Sequence, residues 1–178
     1  MKTVLTLRKN RRRRLGHLSH TEQIDQKQLS KLENRPDGIR ARPVDEGWNW
    51  QASIPGPPDS VYANGVFYIH LKLPAGYPLY PPKVRFLTRI LHPNINCHGD
   101  IFIHCLRHNW SPAVTIPMFL VRIQSMLTDP NCQGCMEHEV WRMYTEDREY
   151  FNIVARDWTR KFAQHHYQNQ ELKPITNR

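Results

Sequence analysis

The chain has 178 residues, of which 39% are hydrophobic and 23% charged, a composition typical of one globular domain with a tail. No apolar run approaches the ~18 residues of a membrane-spanning helix, so we expect no membrane association. Fourteen prolines and eight glycines follow no period, which excludes a collagen-like chain.

The formal charge of +9 is concentrated at the N-terminus. Seven of the 25 basic side chains and none of the 16 acidic ones lie in residues 1–20, so the rest of the chain carries 18 basic and 16 acidic groups. We expect a basic, disordered arm over 1–20, a folded domain over 21–165 and a polar tail over 166–178. A nucleic-acid-binding fold shows a basic face, which a near-neutral domain does not predict, so nucleic acid is not expected beyond the arm.

The arm contains an uninterrupted arginine cluster: Arg11, Arg12, Arg13 and Arg14. Such a cluster is typical of nuclear-localisation or polyanion-binding segments, although a solvated tail explains it equally well. A mitochondrial presequence is disfavoured because the arm lacks an amphipathic apolar stripe. The cysteines follow no secretory signal, so we expect reduced thiols and a protein of the nucleus, the cytoplasm or both.

Hydrophobic periodicity predicts a helix followed by three strands. Residues 20–33 have the narrow apolar stripe of a short helix. The Pro-rich segment 55–58 ends the first strand, Asn64-Gly65 is a turn signal before the second, and such short links favour an antiparallel meander. The alternating apolar positions of the three strands are Trp48, Trp50, Ala52 and Ile54, then Phe67, Ile69, Leu71 and Leu73, then Val84 and Phe86.

The segment from Tyr77 to Pro112 is otherwise irregular, which is typical of functional loops. A helix with Thr115 as N-cap and Asp129-Pro130 as its end follows. Its apolar positions are Ile116, Phe119, Leu120, Ile123, Met126 and Leu127. A last helix begins near Glu146 and buries Phe151, Val154, Ala155, Trp158 and Phe162. The order of elements predicts an α+β fold, with Trp48, Trp50 and Trp158 in the core.

The segment HPNINCHGDIFIHCLRHNWSPAVTI closely resembles the active-site segment of ubiquitin-conjugating enzymes. The residues from 50 to 94 and the stretch YTEDREYFNIVARDWTRKFA are similar to the same family, so the resemblance covers residues 21–165. It implies a four-stranded antiparallel meander with an N-terminal helix and C-terminal helices. Family members carry ubiquitin as a thioester on one cysteine and pass it to a lysine, usually with a ligase bound.

The resemblance places the family's nucleophile at Phe102. Gly99 and Trp110-Ser111-Pro112 keep the family register on both sides, and a phenyl ring cannot form a thioester. The acid that helps the attacking lysine in close relatives is Gly134 here. The His92-Pro93-Asn94 motif is intact, and the family pattern makes Asn94 the catalytic candidate, as support for either the oxyanion or the loop beside it.

Another thiol could replace the missing nucleophile. Cys97 lies in the preceding loop, and Cys132 and Cys135 lie in a loop that borders the family's active-site groove, with His98 or His104 nearby. Cys105 is three residues beyond Phe102, so we expect it to point to the opposite side and be buried. The spacing of Cys132 and Cys135 also suits a metal, but a single CxxC is weak evidence, and we expect neither metal nor cofactor.

Ligases bind the family through the first helix and two loops. The second loop is present as Trp110-Ser111-Pro112-Ala113, and the first reads Pro78-Leu79-Tyr80-Pro81-Pro82. Close relatives have an aromatic residue at the position of Leu79, and Tyr80 restores some apolar contact. Arg40 replaces a serine that contacts a second ubiquitin in some members, and its charge opposes that contact.

The sequence therefore predicts a ubiquitin-conjugating-like protein without thioester activity, which binds a ligase, ubiquitin or an active conjugating enzyme. The alternative is an active conjugating enzyme that uses a displaced cysteine, namely Cys97, Cys132 or Cys135. A degenerate copy that folds but has no partner is the third hypothesis.

Overall fold

A computed structural model of the chain describes residues 35–45, 48–101, 110–130 and 137–164. Its sheet has four antiparallel strands in sequence order, as expected for the ubiquitin-conjugating fold. The strands are β1 (Arg40–Pro43), β2 (Asn49–Pro55), β3 (Val66–Lys72) and β4 (Lys83–Phe86). The basic arm and the helix predicted over 20–33 lie outside the described residues.

The two central strands form the middle of the core. Their apolar residues are directly paired, Trp50 with Leu71, Ala52 with Ile69 and Ile54 with Phe67. All six are fully buried, because alternation places them on one face of the sheet. Residues of the opposite register, such as Asn49, Ser53, Tyr68 and His70, form the outer face. The predicted strand pattern is thus confirmed for these two strands.

A helix covers the apolar face of the sheet. α1 (Ile116–Thr128) begins after Thr115, whose hydroxyl accepts a 3.4 Å hydrogen bond from the Met118 N–H, and ends at Asp129. Its buried side chains are those that the periodicity indicates: Ile116, Phe119, Leu120, Ile123, Met126 and Leu127.

Two further helices follow, α2 (His138–Glu146) and α3 (Arg148–Trp158), and α3 continues into a π-helical turn over Thr159–Gln164. The Asp147 carboxylate caps α3 by accepting the Tyr150 N–H at 3.0 Å. None of the helices in the described part of the chain is long and apolar enough to cross a membrane.

The structure corrects the expected burial of four residues. Trp48 precedes β2 and is 40% exposed, so it is not a core residue. Val154, Trp158 and Phe162 are only half-buried. The buried positions of the last helix follow steps of four residues instead: Phe151, Ala155, Thr159 and Ala163. Because the π-helical turn after Trp158 is wider than an α-helical turn, Thr159 and Ala163, four residues apart, both point towards the core.

Candidate functional site

The His92-Pro93-Asn94 motif is a buried junction between a loop and α1. Nδ1 of His92 accepts the backbone N–H of Asn94 at 3.0 Å, and Nε2 lies 3.0 Å from the carbonyl oxygen of Met126. Only the neutral ring with its proton on Nε2 satisfies both contacts. Burial lowers the pKa of His92 to about 4, so the ring is neutral at physiological pH. The geometry assigns His92 a structural role.

Asn94, the predicted catalytic residue, is held at the same junction. The residue is fully buried, and its backbone position is set by the contact with His92. Tyr62 supports the junction from the other side, because its hydroxyl donates to the Leu91 carbonyl at 2.7 Å and its ring lies 6.0 Å from that of His92. Buried placement suits the loop-supporting role of Asn94 better than a role that needs contact with an incoming substrate.

The turn that follows is organised by one side chain. Oδ1 of Asn96 accepts the backbone N–H groups of His98 at 3.0 Å and Asp100 at 2.9 Å. Gly99 has a φ of +83°, and a Cβ there would lie 2.1 Å from the Phe86 carbonyl oxygen. The Phe86 N–H in turn donates to the Gly99 carbonyl at 2.7 Å. Only glycine fits at this position, so the turn is fixed against β4.

This turn fixes the chain just before the position of the family nucleophile. Asp100 forms a β-bridge with Arg85, and Ile101 forms one with Ile95. Phe102 and the residues up to 109 lie outside the described residues, as do Cys105 and His104. On the far side, Trp110 is again fixed by contacts described below. The described residues on both sides of this segment thus have fixed positions, while the assignment of Phe102 to the nucleophile position stays a prediction from the resemblance.

Cys97 is the one predicted surrogate thiol within the described part of the chain, and it is exposed. Its backbone N–H donates to Oε1 of Glu137 at 3.1 Å, and the Glu137 N–H lies 3.5 Å from the Pro93 carbonyl oxygen. Glu137 stands at the start of α2 and so joins that helix to the His-Pro-Asn loop. Sequence reasoning missed this residue, because nothing local signals a contact across 40 positions.

Cys132, Cys135 and Gly134 lie outside the described residues, so the placement of these two thiols beside the family's active-site groove stays a prediction. No group of three or more histidine, cysteine, aspartate or glutamate side chains suited to a metal ion occurs among the residues that the structure covers.

The two predicted ligase-binding loops lie side by side. Nε1 of Trp110 donates to the Pro78 carbonyl at 2.8 Å, which joins one loop directly to the other. The Trp110 ring packs between Tyr77 and Phe119, with centroid distances of 6.2 and 5.9 Å. Trp110 thus holds the two loops together.

The side chains around Trp110 are exposed and can contact a binding partner. Leu79 is 69% and Tyr80 65% exposed, although both are large and apolar or amphipathic. Ser111, Pro112 and Ala113 are also exposed in a turn closed by the 2.9 Å hydrogen bond from the Val114 N–H to the Ser111 carbonyl. Exposed apolar side chains on a rigid support are typical of a protein-binding surface.

The fold and these loops define a ubiquitin-conjugating type of domain. The family model described as ubiquitin-conjugating enzyme matches residues 24–159, and the chain belongs to this family.

Solved relatives agree with this assignment. The chain is 36% identical to a putative ubiquitin-conjugating enzyme from Plasmodium yoelii, with a TM-score of 0.78 over 83% of this chain and 97% of that one. It is 37% identical to the E2 domain of a Toxoplasma gondii ubiquitin-conjugating enzyme, with a TM-score of 0.72 over 78% of this chain and 95% of that one. The protein is accordingly an E2-like protein of the ubiquitination pathway.

Proposed function

We propose that the protein is a pseudoenzyme of the ubiquitin-conjugating family, which binds a ubiquitin ligase without carrying a ubiquitin thioester. The observation that carries this proposal is the assembled docking surface, in which Trp110 joins the two loops and Leu79 and Tyr80 stand exposed. Binding to ubiquitin or to an active conjugating enzyme is the related activity that such a protein would use to influence ubiquitin transfer.

The nucleophile position supports the first half of the proposal. The transfer needs a thiolate that attacks the ubiquitin-activating enzyme's thioester, and the phenyl ring of Phe102 has no atom able to do so. The flanking turn is fixed by Gly99 and Asn96, so a shift of register that brought another residue to this position would break the contacts with β4. Gly134 in place of the acid of close relatives points in the same direction.

The docking loops support the second half. Transferring a leucine side chain from water into an apolar contact contributes about 2 kcal/mol, so Leu79 alone can account for a factor of roughly 30 in affinity. The hydrogen bond from Trp110 to Pro78 orders the loop before binding, which lowers the entropy lost on association. A partner with an apolar groove and a polar rim fits this surface.

Cys97 keeps a second candidate function open. Its exposed position in the loop before Phe102 would allow access to a thioester partner, so an active enzyme that uses this displaced thiol is the alternative. The Cys97→Ser variant separates the two functions, because only the alternative requires the thiol.

A competition assay tests the docking proposal. An active conjugating enzyme and its ligase are mixed with ubiquitin, and the chain is added in excess while ubiquitin transfer to lysine is followed. For the ligase that the chain recognises, we expect inhibition that Leu79→Asp weakens at least tenfold. The matched control is Tyr150→Asp, which places the same charge at an exposed site away from the loops, because Tyr150 lies on α3 and is 53% exposed.

Docking through the loops is supported if Tyr150→Asp inhibits ubiquitin transfer as strongly as the unmodified chain does and Leu79→Asp no longer inhibits it. Equal potency of the Leu79→Asp variant and the unmodified chain would show that the loops do not mediate binding. Absence of inhibition across a broad panel of ligases would contradict the proposal as a whole.

A further inference from the structure

The outer face of the sheet carries a set of cations that the total charge conceals. Five exposed basic side chains lie in the outward register of the edge strands and of the end of β3: Arg40, Arg42, Lys72, Lys83 and Arg85. We call these five residues the basic face. The direct pairs Arg42–Gln51, Gln51–His70 and His70–Arg85 form one continuous row across all four strands.

The charge is unevenly divided between the first and second halves of the described chain. Residues 35–45 and 48–101 carry seven basic and four acidic side chains, whereas residues 110–130 and 137–164 carry six basic and seven acidic ones. The total over the described residues stays close to neutral, because the excess of three basic groups in the first two segments is partly offset by the excess of one acidic group in the last two.

Carboxylates neutralise little of the basic face. Arg85 pairs with Asp100 at 3.2 Å, but both side chains are about half exposed, and such surface pairs contribute little. Arg40 donates to the carbonyl oxygens of Arg35 and Ile39, and the nearby Asp37 carboxylate forms its salt bridge with Arg35 instead. No salt bridge to Arg42, Lys72 or Lys83 occurs within the described residues.

The cations and the neutral groups are arranged in a pattern. Arg40 and Arg42 lie on one edge strand, Lys83 and Arg85 on the other, and the edges are separated by three strand spacings, about 14 Å. Residues two apart on a strand are about 7 Å apart, which is close to the phosphate spacing of an extended single-stranded nucleic acid.

The centre of the face presents groups that form hydrogen bonds and one aromatic ring. Asn49, Gln51 and Ser53 come from β2, and Tyr68 and His70 from β3. Gln51 is only 7% exposed, and its Oε1 has no hydrogen-bond partner among the described residues. The other four side chains are half-exposed and offer hydrogen-bond donors and acceptors to the edges of nucleobases.

From this arrangement we propose that the outer face of the sheet binds single-stranded nucleic acid, with phosphates on the edge cations and bases over the neutral centre. Tyr68, beside the exposed Leu87, offers an apolar surface on which a base can rest. An acidic polypeptide fits less well, because protein interfaces are built around apolar anchors and the middle of this face is mainly polar. The proposal is independent of the proposed ligase binding, which uses other loops.

Fluorescence anisotropy with a labelled 15-nucleotide oligouridylate tests the proposal on the full chain, which keeps the basic arm in every sample. The test variant combines Arg42→Gln, Lys72→Gln and Lys83→Gln. The matched control combines Arg122→Gln, Arg142→Gln and Arg160→Gln, which removes the same charge from exposed helical positions. Dissociation constants are measured between 50 and 200 mM KCl.

The logarithm of the association constant falls linearly with the logarithm of the salt concentration, and each lost phosphate contact on a single strand makes this slope shallower by about 0.7. We expect the test variant to bind at least tenfold more weakly at 100 mM KCl, with a slope lower by about 2, and the control to stay within about twofold of the unmodified chain. In 4-thiouridine crosslinking of the unmodified chain, we expect adducts on the peptides that contain β3 and β4, which gives a readout that does not depend on folding of the variants.

Three results would overturn the proposal. The first is a wild-type chain that does not bind the oligonucleotide, and the second is an equal loss in the two triple variants, which would assign binding to the arm and general charge. The third is tighter binding of a 15-residue polyglutamate peptide than of the oligonucleotide, which would indicate an acidic protein partner instead.

Discussion

Acidification should destabilise the fold through His92. The ring is neutral in the folded protein, where burial lowers its pKa from 6.5 to about 4, whereas the unfolded chain takes up the proton near pH 6.5. Because the folded pKa is the lower one, the contribution of His92 is complete above pH 6.5 and is lost as the pH falls towards 4. The loss is about 2 kcal/mol by pH 5 and about 3 kcal/mol below pH 4.

Urea unfolding followed by tryptophan fluorescence between pH 8 and pH 5 measures this contribution, since the chain has five tryptophans. His92→Gln keeps a donor and an acceptor but does not titrate. We expect it to be less stable at pH 8, because the two buried hydrogen bonds are imperfectly replaced. We also expect its stability to change by about 2 kcal/mol less than that of the unmodified chain between pH 8 and pH 5.

Two further variants isolate the effect. Burial also lowers the pKa of His70, which lies 3.1 Å from the Asn49 oxygen, so His70→Gln is measured separately because it acts with the same sign. His98→Gln changes an exposed histidine and serves as the matched control. If the pH profiles of His92→Gln and the unmodified chain ran parallel from pH 8 to pH 5, the neutral buried role of His92 would be refuted.

Three other changes probe the loops. Gly99→Ala should lower the free energy of unfolding in urea by about 3 kcal/mol, because φ is positive and the new Cβ would meet the Phe86 carbonyl. In the control Gly76→Ala the new Cβ meets only the movable ring of Tyr80, so the loss should be under about 1 kcal/mol. Equal losses in the two variants would contradict this explanation. Trp110→Phe keeps the ring contacts but removes the hydrogen bond to the Pro78 carbonyl, so we expect the free energy of unfolding to fall by about 1 kcal/mol. We also expect this variant to compete less well for the ligase. Unchanged competition would show that the hydrogen bond is not needed for docking. Phe102→Cys should restore at most weak formation of a reducible ubiquitin adduct. By the family resemblance, Gly134 replaces the acid of close relatives, and His104 stands where a pattern like Ile-Cys-Leu-Asp has its aspartate. Charging at a rate typical of the family would contradict this expectation.

Local patterns predicted the elements that bury a regular face. The apolar positions of α1 from Ile116 to Leu127 were all found buried, because a helix on the core exposes its period directly in the sequence. β1 escaped pattern analysis, since Arg40 and Arg42 face outward and only Ala41 packs on the core between them. α2 escaped it as well, because it contains no fully buried residue. The family resemblance, rather than periodicity, supplied the fourth strand.

The details of the site depended on contacts between distant residues. The His-Pro-Asn motif and the docking loops were recognisable by resemblance, but the bonds of Glu137 to Cys97 and of Trp110 to Pro78 join positions 40 and 32 residues apart. No local pattern encodes such contacts. The basic face was hidden for a different reason, because a charge total does not say which side of a strand each charge occupies.

The central claim, a conjugating-family fold that binds without forming a thioester, is tested most directly by charging. The purified chain is mixed with activating enzyme, ATP and ubiquitin and run on non-reducing and reducing gels beside an active conjugating enzyme. We predict no adduct with the folded chain while the active enzyme is charged. A ubiquitin adduct that disappears on reduction would contradict the account, and its loss in Cys97→Ser would assign the nucleophile to that exposed thiol.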